Sequence, residues 1–162
     1  MNSELARFRK IVSQSLFGKG AHVPTDTVFQ GLNWKQAGTQ PPGAEHTVFQ
    51  LLEHICFWQD WVLQWLDGKK PALPSHAAGS WPVTVGPASA ADWKRAVQDF
   101  RTGLRQLERH ARTAGLAAGT GQKNPLEMLQ TIASHNSYHA GQVVAIRQLL
   151  GSWPPPSGGL TW

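Results

Sequence analysis

Apolar residues recur along this chain at intervals of three and four, the spacing of helices, and nowhere alternate over a length that would make a strand. Leu5, Phe8, Ile11, Val12 and Leu16 predict a first helix over Glu4 to Phe17, stopped by Gly18 and Gly20. Thr47, with Gln50 three residues on, has the form of a capping box and opens a second helix that runs to about Leu66, before Asp67 and Gly68. Its inward face carries Leu51, His54, Trp58, Trp61 or Val62, and Trp65. Ser89 and Asp92 open a third helix, on which Trp93, Val97, Phe100, Leu104, Leu107 and Ala111 form a narrow apolar seam. Asn124, Pro125 and Glu127 are the cap, first position and box carboxylate of a fourth. Gly151 and the prolines at 154 to 156 end it, giving about 25 residues and roughly 37 Å. Only Glu127 and Arg147 carry full charge within it, and its apolar residues spread around much of the circumference, so it belongs at the centre.

The connections complete the plan. Residues 21 to 43 read as a loop in which Thr25 or Asp26 can cap one or two turns through Leu32, and a loop of that length in a small domain is often functional. Lys69 to Pro87 is a 19-residue stretch rich in proline, glycine and serine. That is too long for a tight turn and implies a crossover that sets the second and third helices in the same direction. Thr113 to Lys123, glycine-rich, is the last connection. The expected fold is all-α: one domain over residues 1–162, a four-helix bundle with a long crossover between helices two and three.

Composition narrows the function classes. Eight tryptophans and six phenylalanines against one tyrosine supply large apolar volume with few hydroxyls. The single cysteine, Cys56, excludes an internal disulfide and suits a reducing compartment. It lies two residues from His54 and therefore faces away from it. The polar N-terminal stretch lacks the apolar core of a signal peptide, and no run reaches the length of a membrane span, so a cytoplasmic protein with no membrane partner is expected. The net charge of +5 permits an acidic partner. The basic residues are nevertheless dispersed, and those of the third helix form a solvated outer face. Nucleic-acid binding is therefore a minor reading, and a small anionic substrate accounts for the net charge equally well.

The candidate chemistry lies in histidines. His135 and His139 are four residues apart and interrupt the stripe formed by Met128, Ile132, Gln142 and Ile146. An unpartnered imidazole there costs free energy, so each ring needs either polar neighbours or a shared divalent ion. Seven histidines would give about 0.3 such pairs by chance, so the spacing alone does not decide. His54, on an apolar and aromatic face of the second helix, adds a third inward ring. Three imidazoles from two packed helices can meet one ion at about 2.0–2.1 Å and leave a position for water or substrate. His22, just past the first helix, can reach a site, although a solvent-facing loop position is its default; His46 precedes the second cap as a loop or staple residue.

Three stretches carry a resemblance: GKGAHVPTDTVFQGL after the first helix, HTVFQLLEHICFWQ around His54, and ASHNSYHAGQVVAIRQLLGSWPP around His135 and His139. With the helix order and the crossover, the chain resembles the DinB-like family of metal-binding helical bundles. The resemblance implies a four-helix bundle, often a homodimer, with one divalent ion (nickel, zinc, iron or manganese) held by His54, His135 and His139. Better-characterised relatives are thiol transferases that use bacillithiol, mycothiol or glutathione, including maleylpyruvate isomerase. The function this implies is a metal-dependent thiol S-transferase acting on a small electrophile with a low-molecular-weight thiol as cosubstrate. A metal-dependent hydrolase and a non-catalytic metal-binding stress protein are the alternatives. Gln142, one turn beyond His139, and Gln50, one turn before His54, are placed to orient a ligand or substrate from behind the histidines. Their other roles are an amide clasping a neighbouring helix and the helix cap, respectively. Beyond the ligands no acid, base or nucleophile is assigned.

Overall fold

Capping chemistry sets where the long helices begin. In the computed structural model, which describes residues 2–115 and 124–159, helix α1 spans Asn2–Leu16 and a single turn, α2, spans Trp34–Ala37. The remaining helices are α3 (Val48–Leu66), α4 (Ala90–Thr113) and α5 (Pro125–Leu149). Thr47 Oγ1 accepts from the Gln50 N–H at 3.1 Å while Gln50 Oε1 accepts from the Thr47 N–H at 3.1 Å, closing the box that starts α3. Asn124 and Glu127 close the same box ahead of α5, at 2.9 and 3.0 Å. Ser89 caps α4 at 3.1 Å, but Asp92 does not reach back; its carboxylate instead accepts from Arg95 at 2.6 Å.

Contacts between helices fix their directions. Along α3 and α4 the numbering rises together: Glu53 and Asp99 line one groove, the Gln59 side chain fills the space against Gly103, and Asp67 meets His110 at 3.4 Å. These two helices are parallel, so the segment between them carries the chain back along the bundle, as expected for a crossover. On α5 the order reverses, with His54 opposite His135 and His139, and Val62 opposite Met128 and Ile132. Helix α1 runs against α4, since Arg9 Nε donates to the Ala114 carbonyl at 2.7 Å and Ser13 Oγ to Glu108 at 3.3 Å. The result is a four-helix bundle with no strand among the described residues.

The core corrects two details of the hydrophobic pattern. Val12 and Leu16 of α1 are buried and Leu5 packs against the core, but Phe8 and Ile11 are exposed, at 55% and 46%. At 100° per residue the first three project within about 40° of one another, and α1 buries only that stripe. The expected cap at Thr25 or Asp26 does not form either. Residues 25–31 are turns, the Thr25 hydroxyl is buried without a partner, and the one helical turn is capped later, by Asn33 with Gln36. The 21–43 loop is nonetheless part of the core. Val28, Phe29 and Leu32 are buried, Phe29 meets Phe100 edge-on at 5.1 Å, and the Trp93 indole donates to the Leu32 carbonyl at 2.8 Å. The last connection lies, from residue 116 onward, outside the described residues. Among the described residues no helix is long and apolar enough to cross a membrane.

Arg147 fastens this loop to α5. Only 1% exposed, its guanidinium donates from Nη1 to the Val28 carbonyl at 2.5 Å and from Nη2 and Nε to the Ser152 carbonyl at 2.6 and 3.1 Å. The fan of donors replaces the counter-ion that a buried cation ordinarily needs. Arg147→Ala therefore leaves the buried Val28 carbonyl and the half-buried Ser152 carbonyl without their donors and is expected to cost about 2–4 kcal/mol in urea unfolding. Arg147→Lys, a single point donor in place of the fork, should recover only part of it.

Candidate metal centre

Helix geometry brings together the histidines that lie far apart in the chain. His54 projects from the middle of α3, and His135 and His139, one turn apart on α5, face it. One nitrogen from each ring lies within 4.8 Å of the other two. His54 Nε2 and His135 Nε2 are 3.2 Å apart. Two nitrogens on one tetrahedral ion at about 2.0–2.1 Å stand about 3.3 Å apart, so this edge already has the length that a shared ion requires.

The outer nitrogens determine what the inner ones offer. His54 Nδ1 faces the Ser80 carbonyl at 3.1 Å, and His139 Nδ1 faces Gln142 Oε1 at 2.6 Å. Both partners only accept, so each Nδ1 holds the proton and each Nε2 presents its lone pair inward, the tautomer that second-layer oxygens impose on metal-ligating histidines. Facing lone pairs repel unless a proton or a cation stands between them. In the metal-free protein the His135 N–H can fill that role, and its Nδ1 has only a long contact with Asn136 Oδ1, at 3.5 Å. The donor set thus fits a divalent ion: three neutral nitrogens, two already oriented by oxygen acceptors.

Aromatic rings wall the site. Trp81 stacks on His54 at 3.9 Å with planes 7° apart, and His46 stacks on the other face of the same indole at 3.7 Å. Trp58 stands edge-on to both His54 and His135, at 6.5 and 6.3 Å, and Tyr138 edge-on to His139 at 5.0 Å. Burial pushes His54 and His135 down from 6.5 to about 4, with charge on the neighbouring histidines adding to the fall; the Ser80 carbonyl opposes it at His54 and Asn136 at His135. His139 moves down for the same first reason, opposed by Gln142. All three are neutral near pH 7, as metal ligation requires.

Of the positions singled out from sequence, the structure brings His54, His135, His139 and Gln142 together. Gln50 stays out, because its carbonyl is held by the cap and its amide points towards the Pro82 carbonyl at 3.5 Å. His22 is also elsewhere, and it is half-buried instead of solvent-facing. Its Nε2 pairs with Ser137 Oγ at 2.9 Å, on the side of α5 turned away from His135, and its ring occupies the space where a side chain at Gly18 (φ +68°) would sit. Cys56 lines the α3–α4 groove with Gln59 and Gly103, and burial pushes its thiol up, out of reach of ionisation near neutrality. Sequence reasoning missed Ser80, Trp81 and His46. Ser80 acts through its backbone and leaves no trace in side-chain pattern, whereas a tryptophan inside a proline- and glycine-rich crossover was a usable signal.

Fold and site together define an all-α bundle with an interhelical trio of histidines able to hold a metal ion. The profile of the DinB superfamily matches residues 24–143, about three quarters of the chain, and the protein belongs to that superfamily. Comparison with curated proteins and with solved structures returns no match.

The depressed histidines make a pH prediction. Their folded values lie below the ordinary 6.5, so between about pH 6.5 and about 4 the unfolded chain binds more protons than the folded one. Stability of the metal-free protein should be level above that window and fall as pH drops through it. In urea midpoints measured from pH 7.5 to 4, a His54→Asn, His135→Asn double variant should show a shallower fall.

Proposed function

We propose that this protein is a divalent-metal-dependent thiol S-transferase acting in the cytoplasm on a small electrophilic molecule. The observation that carries the reading is the three-nitrogen donor set itself: among the described residues no carboxylate or thiol completes it, so a coordination position is left for a ligand from outside. The chemistry of the chain's own thiol points the same way. Cys56 is half-buried on the opposite side of α3 with its ionisation suppressed, so the reacting sulfur comes from a cosubstrate.

A divalent ion in this site supplies Lewis acidity at the open position, which favours the deprotonated form of a thiol near neutral pH. The chain does the rest. His54, His135 and His139 donate neutral nitrogens. The Ser80 carbonyl and Gln142 hold two of those rings in the correct tautomer, while Trp81 and Trp58 fix the His54 plane and keep water from the apolar side. The thiol loses its proton, its sulfur forms a bond to the electrophilic carbon, and the leaving group departs with the electron pair of the broken bond. A free thiol of pKa about 8.5 is only about 3% thiolate at pH 7, so ionisation alone is worth up to about thirtyfold in rate, less the nucleophilicity lost with basicity.

Protein loaded with nickel, zinc, iron or manganese should accelerate the reaction of glutathione, bacillithiol or mycothiol with 1-chloro-2,4-dinitrobenzene about tenfold or more over the free thiol. Chelation should return the rate to background. Ester or amide hydrolysis without thiol acceleration would replace the transferase by a metal-dependent hydrolase, and neither activity with any of the four metals would leave a metal-binding protein without turnover.

A further inference from the structure

One turn beyond the histidines, the seam between α3 and α5 opens into a groove of about 340 Å³. Its walls are Trp58, Trp61, Leu73, Met128, Ile132 and His135, none of which carries formal charge near neutral pH. The Trp61 indole N–H is already committed to the Ala72 carbonyl at 3.2 Å, so that ring offers the groove its apolar faces. Leu73, on the crossover, is 65% exposed, an apolar side chain held over an apolar trough with no protein group covering it among the described residues. Water in such a trough finds few hydrogen-bond partners and is readily displaced. The volume is about twice the roughly 150 Å³ that holds a single benzene ring, enough for a molecule of one or two rings. His135 lines the groove and also belongs to the histidine trio, so an occupant abuts the position where a ligand would react.

We infer that this groove binds the body of the electrophilic substrate, and that the substrate is an uncharged aromatic molecule of one or two rings whose reacting carbon lies at the His135 end. The two indoles favour flat rings over flexible chains, since stacking adds to the area buried, and the absence of a cation or paired donors disfavours an anion. Assigning the occupant as substrate rests on the transferase reading; binding in the groove does not need the ion.

The test is titration of metal-free protein with 2-naphthol, followed by calorimetry and tryptophan fluorescence. Saturable one-to-one binding is expected. Thr131, exposed on the groove rim and bonded only within its own helix, allows the groove to be filled without opening the core. Thr131→Trp should weaken binding by about tenfold or more; 2-naphthoate, the same rings with a carboxylate, should bind about tenfold more weakly. Absence of saturable binding, equal affinity in Thr131→Trp, or 1-octanol binding as tightly as 2-naphthol would overturn the inference. Naphthol binding that follows this pattern in a protein with no thiol-transfer activity would keep the groove and remove the transferase. Transfer activity insensitive to Thr131→Trp would do the reverse.

Discussion

The seam between α3 and α5 governs this molecule, because there three imidazoles sit where a bundle would ordinarily place hydrocarbon. Two of the rings are buried and the third half-buried, all are held neutral, and the inner nitrogens of His54 and His135 face each other at 3.2 Å. Such an arrangement is unfavourable in itself, and a buried polar group left without a partner costs more than a hydrogen bond returns. It persists because the outer nitrogens of two rings are satisfied by fixed oxygens and because the rest of the bundle holds α3 and α5 in antiparallel register. A cation at the centre would give all three inner lone pairs a common partner, where the metal-free protein has only an imidazole proton to place between two of them.

The crossover serves more than topology. By running back along the bundle it makes α3 and α4 parallel, and along the way it delivers the Ser80 carbonyl to His54, lays Trp81 across the same ring, and sets Leu73 and the Ala72 carbonyl at the edge of the apolar groove. The 21–43 loop has a different task. It fills the opposite end of the core with Val28 and Phe29, and Arg147 clamps it to α5, so the helix that carries two of the histidines is braced on its far side.

Much of this was legible in the residues, and the reasons differ from element to element. The boundaries of α3 and α5 followed from capping boxes whose two hydrogen bonds both form. The inward direction of His54, His135 and His139 followed from the 3.6-residue period, which is geometric and survives tertiary packing. The α1 pattern misled at Phe8 and Ile11, because periodicity identifies an apolar stripe without saying how wide a part the neighbours will cover. The role of Thr25 was misjudged for a related reason: a capping residue type is necessary for a helix start, but here core burial claimed the side chain instead. Trp81 reaches His54 through the crossover, whose path no local rule predicts, His46 joins only by stacking on the far face of that indole, and Gln50 could serve its cap or the site but not both.

Everything the site can do turns on whether these three imidazoles share one ion. Elemental analysis of protein purified without a histidine tag or chelator tests it directly, comparing the native sequence with His139→Ala and with His46→Ala, which removes the ring stacked on the far face of Trp81. Close to one divalent ion per chain in the native protein and in His46→Ala, with strong loss in His139→Ala, is the result predicted. Equal metal content in the native protein and His139→Ala would mean that the trio is held together by hydrogen bonds alone and would contradict the account.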